Sequence, residues 1–366
     1  MLFGHGGDVY SLSRELAIDP TDVLDFSSNC SPLPYPQGLK RYLCENIDQL
    51  HLLPEVDSYS VRERLSDRYG LSPDCFLLGN GTTQWIYSLP RILGAKRAFI
   101  PLPTYSDYRD ACIASGLDVE YLGPYPDGSQ DSTDRIMDEL SSLKADKLKD
   151  SVVFVCNPNN PTGLFIPPMS LLEIIETRQV GTWIIDEAYA PFVSDDSKSS
   201  LLSVSERLPP NIIILRSFSK IYGIPGLRIG CLVTTGKVLG RLHSRERPWA
   251  VNRMAQLAAD FLLRRPDFEL KVRQYCQDEK QRIISGLSNI KAIVPMNGVT
   301  HFTLFEIHEP LSAKIIYERL KIRGMLIRNC NNFSGLRGEY IRISPRMTTD
   351  NIALITAMEG VCAQDS

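Results

Sequence analysis

Short apolar runs alternate with amphipathic stretches through the middle of the chain. The runs lie in segments 97–102, 118–124, 151–158, 182–189, 211–219 and 228–233. Several, such as "VVFV" and "IIIL", are continuously apolar and rich in β-branched residues, as is typical of strands covered on both faces. The intervening stretches "TQWIYSLPRIL" and "PMSLLEIIETRQ" have helical spacing. The pattern therefore predicts βαβ units and a mostly parallel sheet.

The pattern changes after about residue 235. "NRMAQLAADFLLRRPDFELKVRQYCQDEKQRIISGL" predicts a long amphipathic helix interrupted near Pro266, and "GVTHFTLFEI" and "EYIRISP" predict strands. We therefore predict an α/β protein with a large α/β domain over residues 35–240. A smaller α+β domain is expected from both chain ends, residues 1–34 and 241–366. A cleft between them, at the carboxyl ends of the strands, is the expected ligand site.

Composition and charge narrow the class of partner. The 366 residues are 43% apolar and 23% charged with a net charge of −3, which argues against a general nucleic-acid or membrane binder. Nine cysteines are scattered and predict reduced, mostly buried thiols, and the five histidines form no ligand pair, so we expect no metal. The chain starts without the pattern of a signal peptide and has no apolar run near the ~20 residues of a membrane span. We expect a cytoplasmic location.

Three segments just past predicted strand ends carry candidate chemistry. Gly81, Thr82 and Thr83 precede a helix, where backbone N–H groups can hold an anion, although Gly-Asn-Gly is also a common turn. "NPNNPTG" places Asn160 after a strand, either as part of a turn or as an amide aimed at a ligand. "DEAY" places Asp186 after a buried run, where it is either a helix N-cap or a paired anion.

The fourth segment is "RSFSKIYGIPGLRIG", which gathers small hydroxyls, a lysine, glycines and an arginine. In this order the four segments fit pyridoxal phosphate. Lys220 would form the Schiff base with its aldehyde, and Asp186, as an anion, would keep the pyridine nitrogen protonated so that the ring acts as an electron sink. Tyr189 and Asn160 would hydrogen-bond the phenolate oxygen. The phosphate would be held by Ser217, Ser219, Arg228 and the backbone of Gly81, Thr82 and Thr83.

The motifs "NPNNPTG", "DEAY", "SFSK", "GLRIG" and "EYIR" resemble those of the fold-type I pyridoxal-phosphate enzymes of the aspartate aminotransferase superfamily. The resemblance covers nearly the whole chain and implies their transferase fold and a homodimer with the active site at the subunit interface. It implies that Tyr105 stacks on the pyridine ring, with Tyr108 as the second candidate. It also implies that Arg342 binds the substrate α-carboxylate as a bidentate fork.

Within this superfamily the chain resembles two branches, L-threonine-O-3-phosphate decarboxylase and histidinol-phosphate aminotransferase. The stretches "HGGDVY", "DVLDFSSNCSPL", "RPWAVNRMAQLAA" and "LIRNCNNFSGL" favour the decarboxylase. That branch implies that His5 and Arg328 bind the substrate phosphate and that Asn29 helps to place the carboxylate. Without the resemblance, a histidine so near the N-terminus would be read as a solvated or capping residue.

The resemblance therefore implies decarboxylation of L-threonine O-3-phosphate, or a close phosphorylated amino acid, to (R)-1-aminopropan-2-yl phosphate for cobalamin biosynthesis. The alternative is an aminotransferase for histidinol phosphate or a related phosphorylated or phosphonate amino acid. A third hypothesis, a cofactor-binding protein that has lost catalysis, is disfavoured by the intact Lys220, Asp186 and Arg342. One sequence does not report which bond to the substrate Cα stands perpendicular to the cofactor, and that angle separates the first two hypotheses.

Three positions depart from the decarboxylase pattern. Ser31 replaces its second asparagine, and Gln84 replaces its acidic residue after the Gly-Asn-Gly turn. Leu53 replaces a tyrosine that reaches the cofactor phosphate of the neighbouring subunit, and Tyr59 is a candidate substitute. These changes leave the expected cofactor site intact and leave the substrate open.

Overall fold

The computed structural model describes residues 5–193 and 196–363. Within them the strands are β1 (Leu24–Asp25), β2 (Phe76–Gly79), β3 (Arg97–Pro101), β4 (Asp118–Leu122), β5 (Ser151–Cys156), β6 (Thr182–Asp186), β7 (Ile212–Ser217), β8 (Gly230–Thr234), β9 (Ile293–Pro295), β10 (Thr303–Ile307), β11 (Met325–Leu326), β12 (Arg328–Asn329) and β13 (Glu339–Ile343).

The α-helices of the same residues are α1 (Val9–Leu16), α2 (Leu39–Glu45), α3 (Tyr59–Tyr69), α4 (Gly81–Ile92), α5 (Ser106–Ala114), α6 (Gln130–Ser142), α7 (Ala145–Leu148), α8 (Pro168–Glu176), α9 (Asp196–Ser199), α10 (Phe218–Ile221), α11 (Gly236–His243), α12 (Arg253–Leu263), α13 (Pro266–Leu287), α14 (Ala313–Lys321) and α15 (Thr348–Cys362). Short 3₁₀ turns occur at Pro20–Asp22, Ile47–His51, Pro73–Cys75, Ala190–Phe192, Leu201–Arg207 and Pro225–Leu227.

A seven-stranded sheet in the order β2-β8-β7-β6-β5-β3-β4 forms the centre of the molecule. Strand β8 runs antiparallel to both of its neighbours, and the other pairings are parallel. The six apolar runs of the middle of the chain correspond to β3–β8, which confirms the predicted α/β fold with a mostly parallel sheet. The alternate residues of β5 enter two hydrophobic clusters, one on each face of the sheet. Burial on both faces explains why this strand is continuously apolar.

The register of the central strands brings the polar segments to one edge of the sheet. Cys156 lies opposite Asp186, and Asp186 lies opposite Leu215 on the next strand. Because parallel strands end at the same edge, the loop after β5, the end of β6 and the start of α10 meet there.

A second sheet, in the order β12-β13-β10-β9, is antiparallel and belongs to a separate hydrophobic cluster with α13, α14 and α15. β1 pairs in parallel with β11, so the N-terminal segment joins this part of the fold. The predicted break near Pro266 is confirmed, since α12 ends at Leu263 and α13 begins at Pro266. The main core of the large sheet also includes residues of α12 and the first half of α13, and the domain boundary at residue 240 stays a prediction.

The cysteines fit the prediction of reduced, mostly buried thiols. All nine cysteines are free thiols, seven of them buried. None of the helices described is both long enough and apolar enough to cross a membrane.

Candidate active site

A cavity of about 260 Å³ opens at the carboxyl edge of the large sheet, facing β12 and β13. Each residue assigned to the site from the sequence lines this cavity. These residues are His5, Asn29, Gly81, Thr82, Thr83, Tyr105, Asn160, Asp186, Tyr189, Ser217, Ser219, Lys220, Arg228, Arg328 and Arg342. The fold thus brings them together, and the role of each stays a prediction.

Lys220 lies in α10, the single helical turn that follows β7 directly. The backbone carbonyl of Lys220 accepts a hydrogen bond from the Ser31 N–H at 2.8 Å, which ties this turn to the N-terminal segment. The pKa of the Lys220 amine is raised, mainly by its electrostatic interaction with neighbouring Cys30. Burial lowers this pKa, and the electrostatic interaction with Tyr189 raises it. The balance favours an ammonium group when no aldehyde is present.

Asp186 ends β6 as a buried carboxylate with two donors. The Tyr108 hydroxyl donates to Oδ2 at 2.8 Å, and the Ala188 N–H donates to Oδ1 at 3.0 Å. Burial raises the pKa of Asp186, whereas these two hydrogen bonds and Lys220 lower it. Tyr108, the second candidate for ring stacking, also lines the cavity; its ring stacks on Phe154 with centres 5.0 Å apart, and which of the two tyrosines covers the ring stays a prediction.

The predicted phosphate cradle is built by the start of α4 and by Arg228. Gly81 has a φ of +72°, and a Cβ at this position would lie 2.4 Å from the Arg228 Nη2 atom. Gly230 is similarly constrained, since a Cβ there would approach the Thr82 nitrogen to 2.8 Å. Only glycine allows the helix N-terminus, with its free N–H groups, to lie so close to this guanidinium.

Two hydrogen-bonded pairs line the opposite side of the cavity. The Arg342 Nη1 atom donates to the Asn160 side-chain oxygen, and its Nη2 donates to the Ser27 carbonyl at 2.7 Å. The Asn29 Nδ2 donates to the Tyr189 hydroxyl at 3.1 Å. The three asparagines of "NPNNPTG" therefore differ. The side chain of Asn157 bonds the backbone of residue 166, and that of Asn159 bonds the backbone and side chains of nearby loops, whereas Asn160 faces the cavity.

Arg328 and Arg342 are direct cross-strand partners on β12 and β13. Arg328 donates to the Asn332 side-chain oxygen at 2.7 Å and lies 5.2 Å from the Phe333 ring centre. Burial lowers the pKa of Arg328, and the charge of Arg342 lowers it further. Two guanidinium groups therefore face the cavity as neighbours.

The predicted stacking residue, Tyr105, caps the start of α5 and lines the cavity. Its hydroxyl donates to the Asp107 Oδ2 at 2.7 Å, and its ring centre lies 5.8 Å from that of His5. His5, in turn, lies 3.4 Å from the other Asp107 oxygen.

The three departures from the decarboxylase pattern, Ser31, Gln84 and Leu53, are not among the residues that line this cavity. The Gln84 side chain accepts the Asn80 N–H at 2.8 Å and so closes the Gly-Asn-Gly turn. The Leu53 and Tyr59 side chains are 74% and 52% exposed, and neither lines the cavity of this chain.

Several cavity residues lack a sequence signal strong enough to have placed them there. Ser27, Ser28, Ser106, Cys156 and Phe333 line the cavity but were not predicted. The sequence motifs around these residues were recognised. The residues themselves were not selected as site residues, because serine, cysteine and phenylalanine are too common in loops to indicate a site.

Buried His301, 3% exposed, was also missed; its ring stacks on Phe192 with centres 3.7 Å apart, behind Tyr189. Burial lowers the pKa of this histidine. His301 lies two residues before β10, and an isolated histidine in such an apolar segment is usually a core residue, so the sequence offered no reason to select it.

The donor set fits pyridoxal phosphate. The cavity combines an amine (Lys220), a buried carboxylate (Asp186) and a helix N-terminus beside Arg228, whose close approach a Cβ at position 81 would prevent. The cofactor has matching groups in its aldehyde, ring nitrogen and phosphate. Lys220, Asp186 and the 81–83 backbone with Arg228 are the residues that would hold those three groups.

Comparison with characterised sequences gives relatives across the whole chain. The chain is 29% identical over 362 residues to the threonine-phosphate decarboxylase of Salmonella typhimurium, covering 98% of this chain and 96% of the relative. It is 30% identical over 366 residues to the adenosylcobalamin biosynthesis bifunctional protein CobDQ of Leptospira interrogans, covering 98% of this chain. The match spans 41% of the Leptospira protein's length.

Solved structures show the same fold. The histidinol-phosphate aminotransferase of Clostridium acetobutylicum superposes with a TM-score of 0.83 at 25% identity, covering 93% of this chain and 100% of that one. The histidinol-phosphate aminotransferase of Sinorhizobium meliloti, solved in complex with pyridoxal 5'-phosphate, gives a TM-score of 0.83 at 19% identity, covering 98% and 95%. The family model for aminotransferase class I and II matches residues 21–356, and the chain belongs to this family.

Proposed function

We propose that this protein is a pyridoxal-phosphate-dependent decarboxylase of L-threonine O-3-phosphate or a close phosphorylated amino acid. The product would be (R)-1-aminopropan-2-yl phosphate, for use in cobalamin biosynthesis. The observation that carries the proposal is the cross-strand pair of arginines, Arg328 and Arg342, which face one cavity with Lys220.

Two like charges on directly opposed residues of an antiparallel pair are destabilising unless anions neutralise them. Among the ion pairs of the described residues, neither Arg328 nor Arg342 has a carboxylate partner; their hydrogen bonds go to amide and carbonyl oxygens. A substrate that carries both a carboxylate and a phosphate would supply the two missing anions. Arginine is suited to both, because its planar fork matches carboxylate and phosphate oxygens.

When bound, pyridoxal phosphate supplies an electron sink for negative charge that develops at the substrate Cα. Asp186 would hold the proton on the ring nitrogen, and its position is fixed by the Tyr108 hydroxyl and the Ala188 N–H. Tyr105 would cover the ring, and Asn160 and Tyr189 would orient its phenolate oxygen. These side chains would orient the cofactor, because each is already fixed by a hydrogen bond to a neighbouring residue.

In the proposed reaction the bond between Cα and the carboxylate carbon breaks, CO₂ leaves, and the electron pair remains at Cα. The Lys220 ammonium would then donate a proton to Cα, which balances the loss of CO₂. Arg342 and Asn29 would set the direction of the carboxylate, and with it the bond that breaks. His5 and Arg328 would hold the phosphate at the far end of the substrate.

The named activity of the Salmonella relative and the named pathway of the Leptospira relative support the decarboxylase proposal. At about 30% identity, these relatives support the assignment of the chain to the family. We infer the substrate from the cavity, in which Arg328 and Arg342 would each bind one anionic group. The second candidate function is transamination of histidinol phosphate or another phosphorylated amine, which the close superposition on the Clostridium aminotransferase favours.

We also propose that the protein is a homodimer. Leu50, Leu52, Leu53 and Val56 are each more than half exposed, and Trp249, which is 50% exposed, donates its backbone N–H to the Val56 carbonyl at 2.8 Å. This apolar surface would be covered by a second copy of the chain. Light scattering should give twice the mass of the 366-residue chain, and a monomer at micromolar concentration would contradict the proposal.

The substrate proposal is tested by the separate removal of the two arginines. Arg328→Gln should raise the KM for L-threonine O-3-phosphate roughly tenfold to a hundredfold, as expected for one charged hydrogen-bonding contact. Arg342→Gln should weaken the binding of every α-amino acid substrate, because each carries the α-carboxylate assigned to this residue. Arg337→Gln, at an exposed position in the loop between β12 and β13, is the matched control and should change neither. An unchanged KM in Arg328→Gln would refute the assigned phosphate contact.

A further inference from the structure

The carboxylate of Asp107 joins two residues of the candidate site although it does not line the cavity itself. Its Oδ2 accepts the Tyr105 hydroxyl at 2.7 Å, and its Oδ1 lies 3.4 Å from the His5 Nε2. The Asp107 side chain is 7% exposed, whereas that of His5 is 34% exposed. Burial of a carboxylate destabilises the folded protein unless nearby charges or hydrogen bonds compensate for the lost solvation. The contacts with Tyr105 and His5 provide such compensation for Asp107.

The local fold also favours a negative charge at this position. Asp107 lies in the first turn of α5, where the helix dipole stabilises an anion. Oδ1 makes no hydrogen bond within the described residues, and the His5 ring nitrogen Nε2 lies 3.4 Å from it. Oδ2, by contrast, is fixed by the Tyr105 hydroxyl. One oxygen thus orients a ring at the cofactor position, and the other faces the ring on the N-terminal segment.

We infer that Asp107 is a positioning residue that couples the ring-covering Tyr105 to the phosphate-binding His5, and so contributes to selection of phosphorylated substrates. The inference rests on the roles proposed above for Tyr105 and His5. Asp107 would keep the histidine directed towards the phosphate end of the cavity. Because Asp107 touches neither substrate nor cofactor, its effect should pass through His5.

Asp107→Asn separates charge from shape. The amide oxygen can still accept the Tyr105 hydroxyl, but the negative charge beside His5 is lost. Phosphate binding should therefore weaken about tenfold, as expected for one charge-assisted contact. The neighbouring Asp110→Asn is the matched control, because Asp110 is on the same helix and pairs with Arg109.

The experiment uses the cofactor-loaded protein and calorimetric titration with two amines that have no carboxylate to lose. One is (R)-1-aminopropan-2-yl phosphate, and the other is its phosphate-free analogue (R)-1-aminopropan-2-ol. Asp107→Asn should raise the Kd of (R)-1-aminopropan-2-yl phosphate about tenfold and leave the Kd of (R)-1-aminopropan-2-ol unchanged. In a His5→Gln background, Asp107→Asn should have no further effect on the phosphate, whereas a merely structural role would add to the loss.

Each outcome decides between the inference and its alternatives. Equal weakening of both amines, an unchanged phosphate Kd, or additive losses in the double variant would overturn the role of Asp107. Selective, non-additive loss in a protein that releases no CO₂ from L-threonine O-3-phosphate would support the inference and refute the decarboxylase proposal. Equal affinity of the unmodified protein for the two amines would overturn both.

Discussion

Replacing Tyr108 with phenylalanine removes the hydroxyl that donates a hydrogen bond to the buried carboxylate of Asp186. The hydroxyl donates to Oδ2 at 2.8 Å, and the ring stacks on Phe154 with centres 5.0 Å apart. Phenylalanine keeps the ring and its stacking and removes only the donor. Hydrogen bonds to charged groups contribute about 1.5–3 kcal/mol, so we expect the free energy of unfolding of the cofactor-free protein to fall by that amount at pH 8.

The pH dependence follows from the protonation state of Asp186. Burial raises the pKa of this carboxyl, and the Tyr108 hydroxyl lowers it by stabilising the charged form. The contribution of the hydroxyl is therefore present above the folded-state pKa of Asp186 and declines as the pH falls through it. Once the carboxyl is protonated, the bond is a neutral one worth about 0.5–1.5 kcal/mol. The destabilisation in Tyr108→Phe should shrink as the pH is lowered from 8.

Urea unfolding of the cofactor-free protein at a series of pH values measures this effect. Tyr121→Phe is the control, because Tyr121 is on β4 and is 43% exposed. We expect the control to stay within ~0.5 kcal/mol of the unmodified protein. Equal losses in the two variants, or a loss in Tyr108→Phe that grows as the pH falls, would refute the reasoning.

Three further predictions test the cofactor site and its support. Lys220→Ala should remove the visible absorbance of lysine-bound pyridoxal phosphate, and a retained band would rule out this lysine as the attachment point. Gly81→Ala should weaken cofactor binding at least tenfold in an equilibrium titration, because its φ is +72° and the new Cβ would lie 2.4 Å from the Arg228 Nη2; an unchanged affinity would argue against the cradle. Glu187→Ala should lower the free energy of unfolding by about 3–5 kcal/mol in urea titration, since it removes the carboxylate that lies 3.3 Å from the Arg216 Nη1 in a buried pair; a loss below ~1 kcal/mol would show that the pair is dispensable.

The central sheet and the cofactor residues were predictable because their signals are local. Continuously apolar runs rich in β-branched residues, such as Val152–Val155, have few alternatives to a buried strand, and β5 extends one residue beyond this run at each end. Lys220, Asp186 and Arg228 belong to short motifs that follow directly after or just before strands. Their convergence then follows from the shared edge of the sheet.

The contacts that support these residues were not predictable from the sequence. Whether Tyr105 or Tyr108 faces the cofactor depends on the orientation of α5, and composition does not distinguish two tyrosines three residues apart. The pairing of Arg328 with Arg342 depends on the register of β12 and β13, which the intervening loop sets. The link from Asp107 to His5 joins segments about a hundred residues apart, and only the packing of the N-terminal segment against α5 brings them together.

The most direct test of the proposed function is a product assay without any keto acid. Cofactor-loaded protein is mixed with excess L-threonine O-3-phosphate, and the CO₂ and the phosphorylated amine are quantified over time. The decarboxylase proposal predicts equal amounts of CO₂ and (R)-1-aminopropan-2-yl phosphate over many turnovers. If no CO₂ is released and histidinol phosphate instead converts the bound cofactor to its amine form in a single turnover, the protein is an aminotransferase and the decarboxylase proposal is contradicted.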